Sequence, residues 1–83
     1  MTAITVSDKR QLAPVGGVKE IVILTDSACA TGFTYDASND FLTIYSTYLN
    51  DSTGAVKVAT FSGTTVTIGT VSTGVHCLRI LGI

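Results

Sequence analysis

The sequence predicts a small all-β protein, folded as an antiparallel sandwich or barrel with a C-terminal meander and an extended N-terminal arm. Three observations support this prediction. Threonine and other β-branched residues, which favour pleated strands, are abundant: the 83 residues include 14 threonines. Ser-Gly and Thr-Gly pairs, typical of turns, separate the apolar segments. No window sustains the i, i+3, i+4 apolar spacing of an amphipathic helix.

Six segments have the apolar pattern of strands. In chain order they are 2–7, 18–25, 41–49, 55–61, 65–71 and 75–83. Short connections rich in turn residues, at 50–54, 62–64 and 72–74, join the last four segments, which predicts consecutive antiparallel hairpins. The stretch 26–40 is longer and less regular, so we expect an excursion loop there.

The N-terminal residues 1–17 are interpreted separately from a single β domain over 18–83. Pro14 and the pair Gly16-Gly17 interrupt the strand pattern, and proline lacks the N–H group that a sheet ladder uses. We therefore expect 1–17 to form a short strand and an arm that is mobile or exchanged with another copy.

Apolar residues on both sides of several strands predict that the chain assembles. The run Ile21-Val22-Ile23-Leu24 has no polar side, as in a strand covered on both faces. No charged residue occurs from Val58 to Leu78, and a chain of this length builds only a thin core of its own. Burial in an oligomer or on a larger surface would cover the surplus apolar area. The candidate interface residues lie in the arm and the last strand: Ile4, Val6, Leu12, Val15, Leu78, Ile80, Leu81 and Ile83.

Composition argues against several classes of partner. Charged residues make up 13% of the chain and the net charge is −1, which gives no electrostatic basis for binding nucleic acid or an anionic membrane. No stretch approaches the length of a transmembrane helix. The start of the chain has no apolar run of the kind found in signal peptides, so we expect synthesis in a reducing cytoplasm with Cys29 and Cys77 as free thiols.

Nucleophilic catalysis is not predicted. His76 is the only histidine and thus the only conventional general base near neutral pH. Its neighbour Cys77 would point to the opposite face of a strand, and no Gly-X-Ser-X-Gly element exposes a serine. We interpret Ser72 and Thr73 as turn residues and His76 as partly buried or at an interface, and we expect no catalytic residue and no small-molecule substrate.

The segment Asp36-Ala37-Ser38-Asn39-Asp40 partly matches the alternating oxygen ligands of a calcium loop. The match ends there, because the sixth position is not glycine and Thr47 stands where a bidentate glutamate is needed. We predict an Asx-type turn in this segment, and neither a metal ion nor a cofactor.

The whole chain resembles the small all-β structural proteins of tailed bacteriophages, especially head decoration or cement proteins. The resemblance rests on a short N-terminal β segment with glycines, then VKEIVILT, a Thr/Ser/Gly-rich meander and the closing VHCLRILGI. It implies a homotrimer on the capsid surface of the virion, made in the host cytoplasm, that binds the major capsid protein across neighbouring subunits and stabilises the head. Two alternatives are another phage component, in the tail, a fibre or head completion, and a small carbohydrate-binding module using Tyr35, Tyr45 and Tyr48.

Overall fold

The computed structural model describes residues 2–83, apart from the side chains of 13–15, and it is all-β, without a helix in that range. The predicted fold class, all-β, is confirmed, and of the two predicted architectures, an antiparallel sandwich or barrel, the structure is consistent with the sandwich. Eight strands occur in the described residues: β1 (Val6–Val15), β2 (Val18–Thr25), β3 (Thr34–Asp36), β4 (Ile44–Asp51), β5 (Val56–Lys57), β6 (Ala59–Ser62), β7 (Thr65–Ile68) and β8 (His76–Gly82).

The strands form two sheets. The larger sheet has the order β1-β2-β8-β4-β5, and the smaller sheet has the order β3-β7-β6. Every pair of neighbouring strands is antiparallel. The core lies between the sheets and consists mainly of aliphatic side chains: Ile4, Ile21, Ile23, Cys29, Ala37, Phe41, Ile44, Leu49, Val66, Ile68, Leu78 and Ile80.

The N-terminal segment is bound to both sheets of its own chain, so within one copy it does not form the predicted mobile arm. Ala3 makes a parallel bridge with Thr34 of β3, and the segment then continues into β1, which pairs with β2 along most of its length. The predicted strand over 2–7 was therefore misplaced. The reason is that Gly16-Gly17, both with positive φ, form a tight hairpin turn instead of a linker.

Two of the three predicted C-terminal hairpins form, namely β4–β5 and β6–β7. The third does not, because β8 pairs with β2 and β4 in the middle of the larger sheet and not with β7. The predicted strand over 55–61 is also divided: the chain passes at Val58 from the larger sheet to the smaller one. The Val58 carbonyl accepts a hydrogen bond from the Gly69 N–H, 2.8 Å away, which fixes this crossing against the end of β7. The predicted loop 26–40 contains the short strand β3.

Candidate assembly surface

The larger sheet has two unlike sides, only one of which is covered by the smaller sheet. Side chains alternate between the two sides along each strand, and in β8 His76, Leu78 and Ile80 are buried against the core. The side chains between them project the other way. We call this second side of the larger sheet the open face. Its members are Asp8, Arg10, Leu12, Glu20, Val22, Leu24, Ser46, Tyr48, Asn50, Val56, Cys77, Arg79 and Leu81.

Strand register arranges the open face in three rows that run across the sheet, because directly opposed residues project from the same side. The first row is Asp8, Leu24, Cys77, Asn50 and Val56; the second is Arg10, Val22, Arg79 and Tyr48; the third is Leu12, Glu20, Leu81 and Ser46. Each row therefore mixes apolar side chains with polar ones, so that no row is wholly charged or wholly apolar.

Large apolar side chains of the open face are accessible. Leu24 is 41% exposed, Leu12 47%, Tyr48 54% and Val56 80%. Scattered exposed apolar residues are ordinary on a protein surface, but these four share one side of one sheet. Accessible apolar side chains set among polar ones are also the composition of protein interfaces.

Charges on the open face balance, with two acidic and two basic residues. Arg79 Nε lies 2.6 Å from Glu20 Oε2, and Arg10 Nε lies 3.4 Å from Asp8 Oδ2. The hydrogen bond and the negative charge of Glu20 raise the pKa of the Arg79 guanidinium. Because its charges are paired within the chain, the open face does not attract a partner of one charge sign.

The interface residues predicted from sequence do not all lie on the open face. Leu12 and Leu81 belong to it. Leu78 and Ile80 are 0% exposed and Ile4 is 8% exposed, so these three predictions are wrong for an open surface: the chain buries them in its own core.

The other three predicted interface residues lie elsewhere. Val6 is exposed on the core-facing side of β1, opposite Thr25. Ile83 is exposed beyond β8, where its N–H donates to the Thr43 carbonyl. The side chain of Val15 lies outside the described residues.

The sequence prediction did not include the other apolar residues of the open face, which are Val22, Leu24, Tyr48, Val56 and Cys77. The alternation within β2 and β8 was the available signal, since Leu78 and Leu81 occupy opposite sides of one strand. Choosing between the two sides requires knowing which one the smaller sheet covers, and the sequence does not show that.

The three tyrosines considered for carbohydrate binding do not come together. Tyr48 lies on the open face, opposite Arg79, and Tyr45 is exposed at the irregularity between Ile44 and Ser46. Tyr35 packs against the core from β3, on the other side of the larger sheet. The prediction that these three tyrosines form one carbohydrate-binding surface is therefore wrong.

Tyr35 instead belongs to a polar cluster that links the two sheets. Its hydroxyl donates to Asp40 Oδ2 at 2.6 Å, and Lys9 Nζ lies 2.7 Å from Asp40 Oδ1. Burial opposes ionisation of Asp40, but the hydrogen bonds from Lys9 and Tyr35 outweigh it and lower the pKa of this carboxyl. The hydrogen bond to Asp40 raises the pKa of Lys9. The cluster fastens the edge strand β1 to the loop that precedes β4.

The predicted Asx-type turn is confirmed, because Asp36 Oδ1 accepts a hydrogen bond from the Ser38 N–H at 2.9 Å. That hydrogen bond lowers the pKa of the Asp36 carboxyl. Asp40, the last acidic residue of the segment, is bound to Lys9 and Tyr35. Within residues 2–83 no group of three or more His, Cys, Asp or Glu side chains is placed to hold a metal ion.

His76 and Cys77 point to opposite sides of β8, as predicted from strand alternation. The His76 ring is buried, its Nδ1 lies 2.8 Å from the Gly74 carbonyl oxygen, and its Nε2 has no hydrogen-bond partner in the described residues. The backbone N–H of His76 donates to Thr25 Oγ1 at 2.9 Å. Both cysteines are free, and burial raises the pKa of the Cys29 thiol, which disfavours the reactive thiolate.

A search of residues 2–83 finds no helix of the length and apolar character needed to cross a membrane. No protein-family model, curated protein or solved structure matches this chain.

Proposed function

We propose that this chain is a virion structural protein, a capsid decoration or cement subunit that binds across neighbouring subunits of the major capsid protein and stabilises the phage head. The observation that carries the proposal is the open face, a continuous sheet surface with accessible apolar side chains such as Leu24, Tyr48 and Val56. The resemblance of the whole chain to small phage structural proteins is the basis for proposing the major capsid protein as the partner.

The chemistry of the open face suits docking onto a large protein surface. Specific protein interfaces combine an apolar centre with polar groups that find partners, and the face offers both in each of its rows. Its ion pairs are already formed within the chain, so docking does not require the burial of an unpaired charge. Many copies on one capsid would also hold neighbouring subunits together without a tight single contact.

The test begins by looking for a major capsid gene beside the gene for this chain, and then uses empty shells assembled from that capsid protein. We expect the purified chain to cosediment with these shells and to raise the temperature at which they dissociate. Leu24→Lys places a charge in the first row of the open face and should abolish cosedimentation. Leu42→Lys is the matched control, because Leu42 is 89% exposed and lies outside the open face.

Circular dichroism of both variants must show an intact fold, which the exposure of both side chains favours. Cosedimentation of Leu24→Lys at the wild-type level would contradict docking through the open face. Failure of the wild-type chain to bind the shells, with recovery of the protein in purified tails, would contradict the capsid location and favour the other phage structural role.

A further inference from the structure

The strand β1 leaves a long backbone edge without a partner strand in the described part of the chain. It has 10 residues and pairs on one side only, with β2. The strand at the other end of the larger sheet, β5, has 2 residues. A long edge strand can accept a further strand through main-chain hydrogen bonds, so β1 is the place where the larger sheet could be extended.

The charges of β1 have a symmetric arrangement around Lys9. Asp8 and Arg10 project from the open face, where their side chains are 55% and 77% exposed. Lys9 projects from the core-facing side, and its ammonium group is bound to Asp40 at 2.7 Å. The open-face side of β1 thus presents an exposed acid and an exposed base, separated by a single residue and paired with each other at 3.4 Å within one chain.

We infer that β1 pairs antiparallel with β1 of a second copy of this chain, about a two-fold axis that passes through Lys9. In that register Asp8 of each copy lies opposite Arg10 of the other, on the same face of the combined sheet. Opposite charges at directly opposed positions stabilise an antiparallel pair. The occupant of this edge is therefore a second copy, with charges that complement those of the first.

The charges also discriminate against other registers. A shift of one residue would turn the second copy over, so that its core-facing side and smaller sheet would lie on the same side of the combined sheet as the open face of the first copy. A shift of two residues in either direction would place Arg10 opposite Arg10 or Asp8 opposite Asp8, and like charges directly opposed are destabilising. At the two-fold axis, the Lys9 side chain of each copy binds the Asp40 carboxylate of its own chain.

Two features of β1 limit the strength of this pairing. Within one chain Asp8 Oδ1 accepts a hydrogen bond from the Lys9 N–H at 2.9 Å and Asp8 Oδ2 lies 3.4 Å from Arg10 Nε, and the carboxylate must exchange these contacts for Arg10 of the second copy. An irregularity between Val6 and Asp8 restricts the regular pairing to a short stretch. We therefore expect weak dimers in dilute solution, which would strengthen where copies are held close together.

The dimer would join the two larger sheets into one continuous sheet and set two open faces side by side. This pairing does not depend on what the open face binds. The test is sedimentation velocity of the full chain over a range of concentrations, with three variants: Asp8→Arg, Arg10→Asp and the double exchange. Lys57→Glu, on the short edge strand β5, is the matched control.

We expect a reversible dimer of the wild-type chain. Each single variant replaces two attractive contacts with two repulsive ones and should raise the Kd of dimerisation at least about tenfold. The double exchange should restore dimerisation, the two single variants should form a heterodimer when mixed, and Lys57→Glu should match the wild type. A wild-type chain that stays monomeric up to its solubility limit, a trimer as the phage resemblance implies, or a dimer insensitive to the single variants would overturn the inference.

Discussion

The two sides of the larger sheet are built by the same strands and differ in what they contain. On the core-facing side Ile21, Ile23, Leu49, Leu78 and Ile80 are all 0% exposed. On the open face apolar side chains alternate with ion pairs and with hydroxyl and amide groups. Burial of a large aliphatic side chain contributes roughly 1.5–3 kcal/mol, so the first side supplies most of the stability of the chain. Residues on the open face contribute less to stability, so they can be determined by binding to a partner.

The largest expected effect is on the free energy of unfolding, and it distinguishes a residue on the core-facing side from one on the open face. Leu78→Ala removes a completely buried side chain from the centre of the core and should lower the free energy of unfolding by about 2–5 kcal/mol. Leu24→Ala, on the neighbouring strand but on the open face, should lower it by less than about 1 kcal/mol. Urea denaturation at low protein concentration measures both values.

An equal loss of stability in the two variants would break the comparison, because it would mean that the open face is already buried in solution. In that case the midpoint of the wild-type transition would also rise with protein concentration. A midpoint that does not change with concentration below the range in which β1 dimers form, together with a small effect of Leu24→Ala, is the outcome expected for a face that is covered only by a further partner.

The second prediction concerns the closest packing on the core-facing side. A Cβ atom added at Gly82 would overlap the Thr43 carbonyl oxygen and approach the Phe41 ring to 2.9 Å. Since the obstacle is mainly backbone, Gly82→Ala should cost about 1–3 kcal/mol of stability. Gly74→Ala is the control, because no atom lies within 4 Å of its added Cβ and its φ is not positive. Thermal unfolding of both variants checks the prediction, which a Gly82→Ala protein as stable as Gly74→Ala would contradict.

Much of the fold was predictable because its signals are local. The strand predicted over 18–25 coincides with β2, and its run of β-branched and aliphatic residues indicates a central strand regardless of its neighbours. The sequence does not predict the extent of β1, Val6–Val15, because a proline such as Pro14 is expected to interrupt a strand. On an edge strand a proline is tolerated, since its missing N–H can face away from the neighbouring strand.

The pairing of β8 and the composition of the candidate site were not predictable from local patterns. β8 is compatible in sequence with a hairpin to β7, but its place between β2 and β4 depends on residues distant in the chain. The apolar residues on both sides of β8 have the same chemical character, so Leu78 and Leu81 could be assigned to core and surface only when the covering sheet was known.

The smallest expected effect on stability is the difference between two ion pairs, one on each side of the larger sheet. Lys9 and Asp40 meet on the core-facing side, where the Asp40 side chain is 12% exposed. Glu20 and Arg79 meet on the open face, where the Arg79 side chain is 49% exposed. Asp40→Asn should lower the free energy of unfolding at pH 7 by about 1 kcal/mol, while Glu20→Gln should lower it by about 0.5 kcal/mol or less.

The pH dependence distinguishes the two pairs further. Because the pKa of Asp40 is lowered by folding, its contribution is fully present above the unfolded-state pKa of about 3.9 and is lost as the pH falls through the lower folded-state value. The pKa of Lys9 is raised, so its contribution is present below about pH 10.4 and is lost as the pH rises through the higher folded-state value. The difference in stability between wild type and Asp40→Asn should therefore be constant from about pH 5 to pH 9 and should shrink in acid. Denaturation curves at several pH values measure it, and a difference that grows below pH 4 would mean that the cluster of Lys9, Tyr35 and Asp40 does not hold β1 against the smaller sheet as an ion pair.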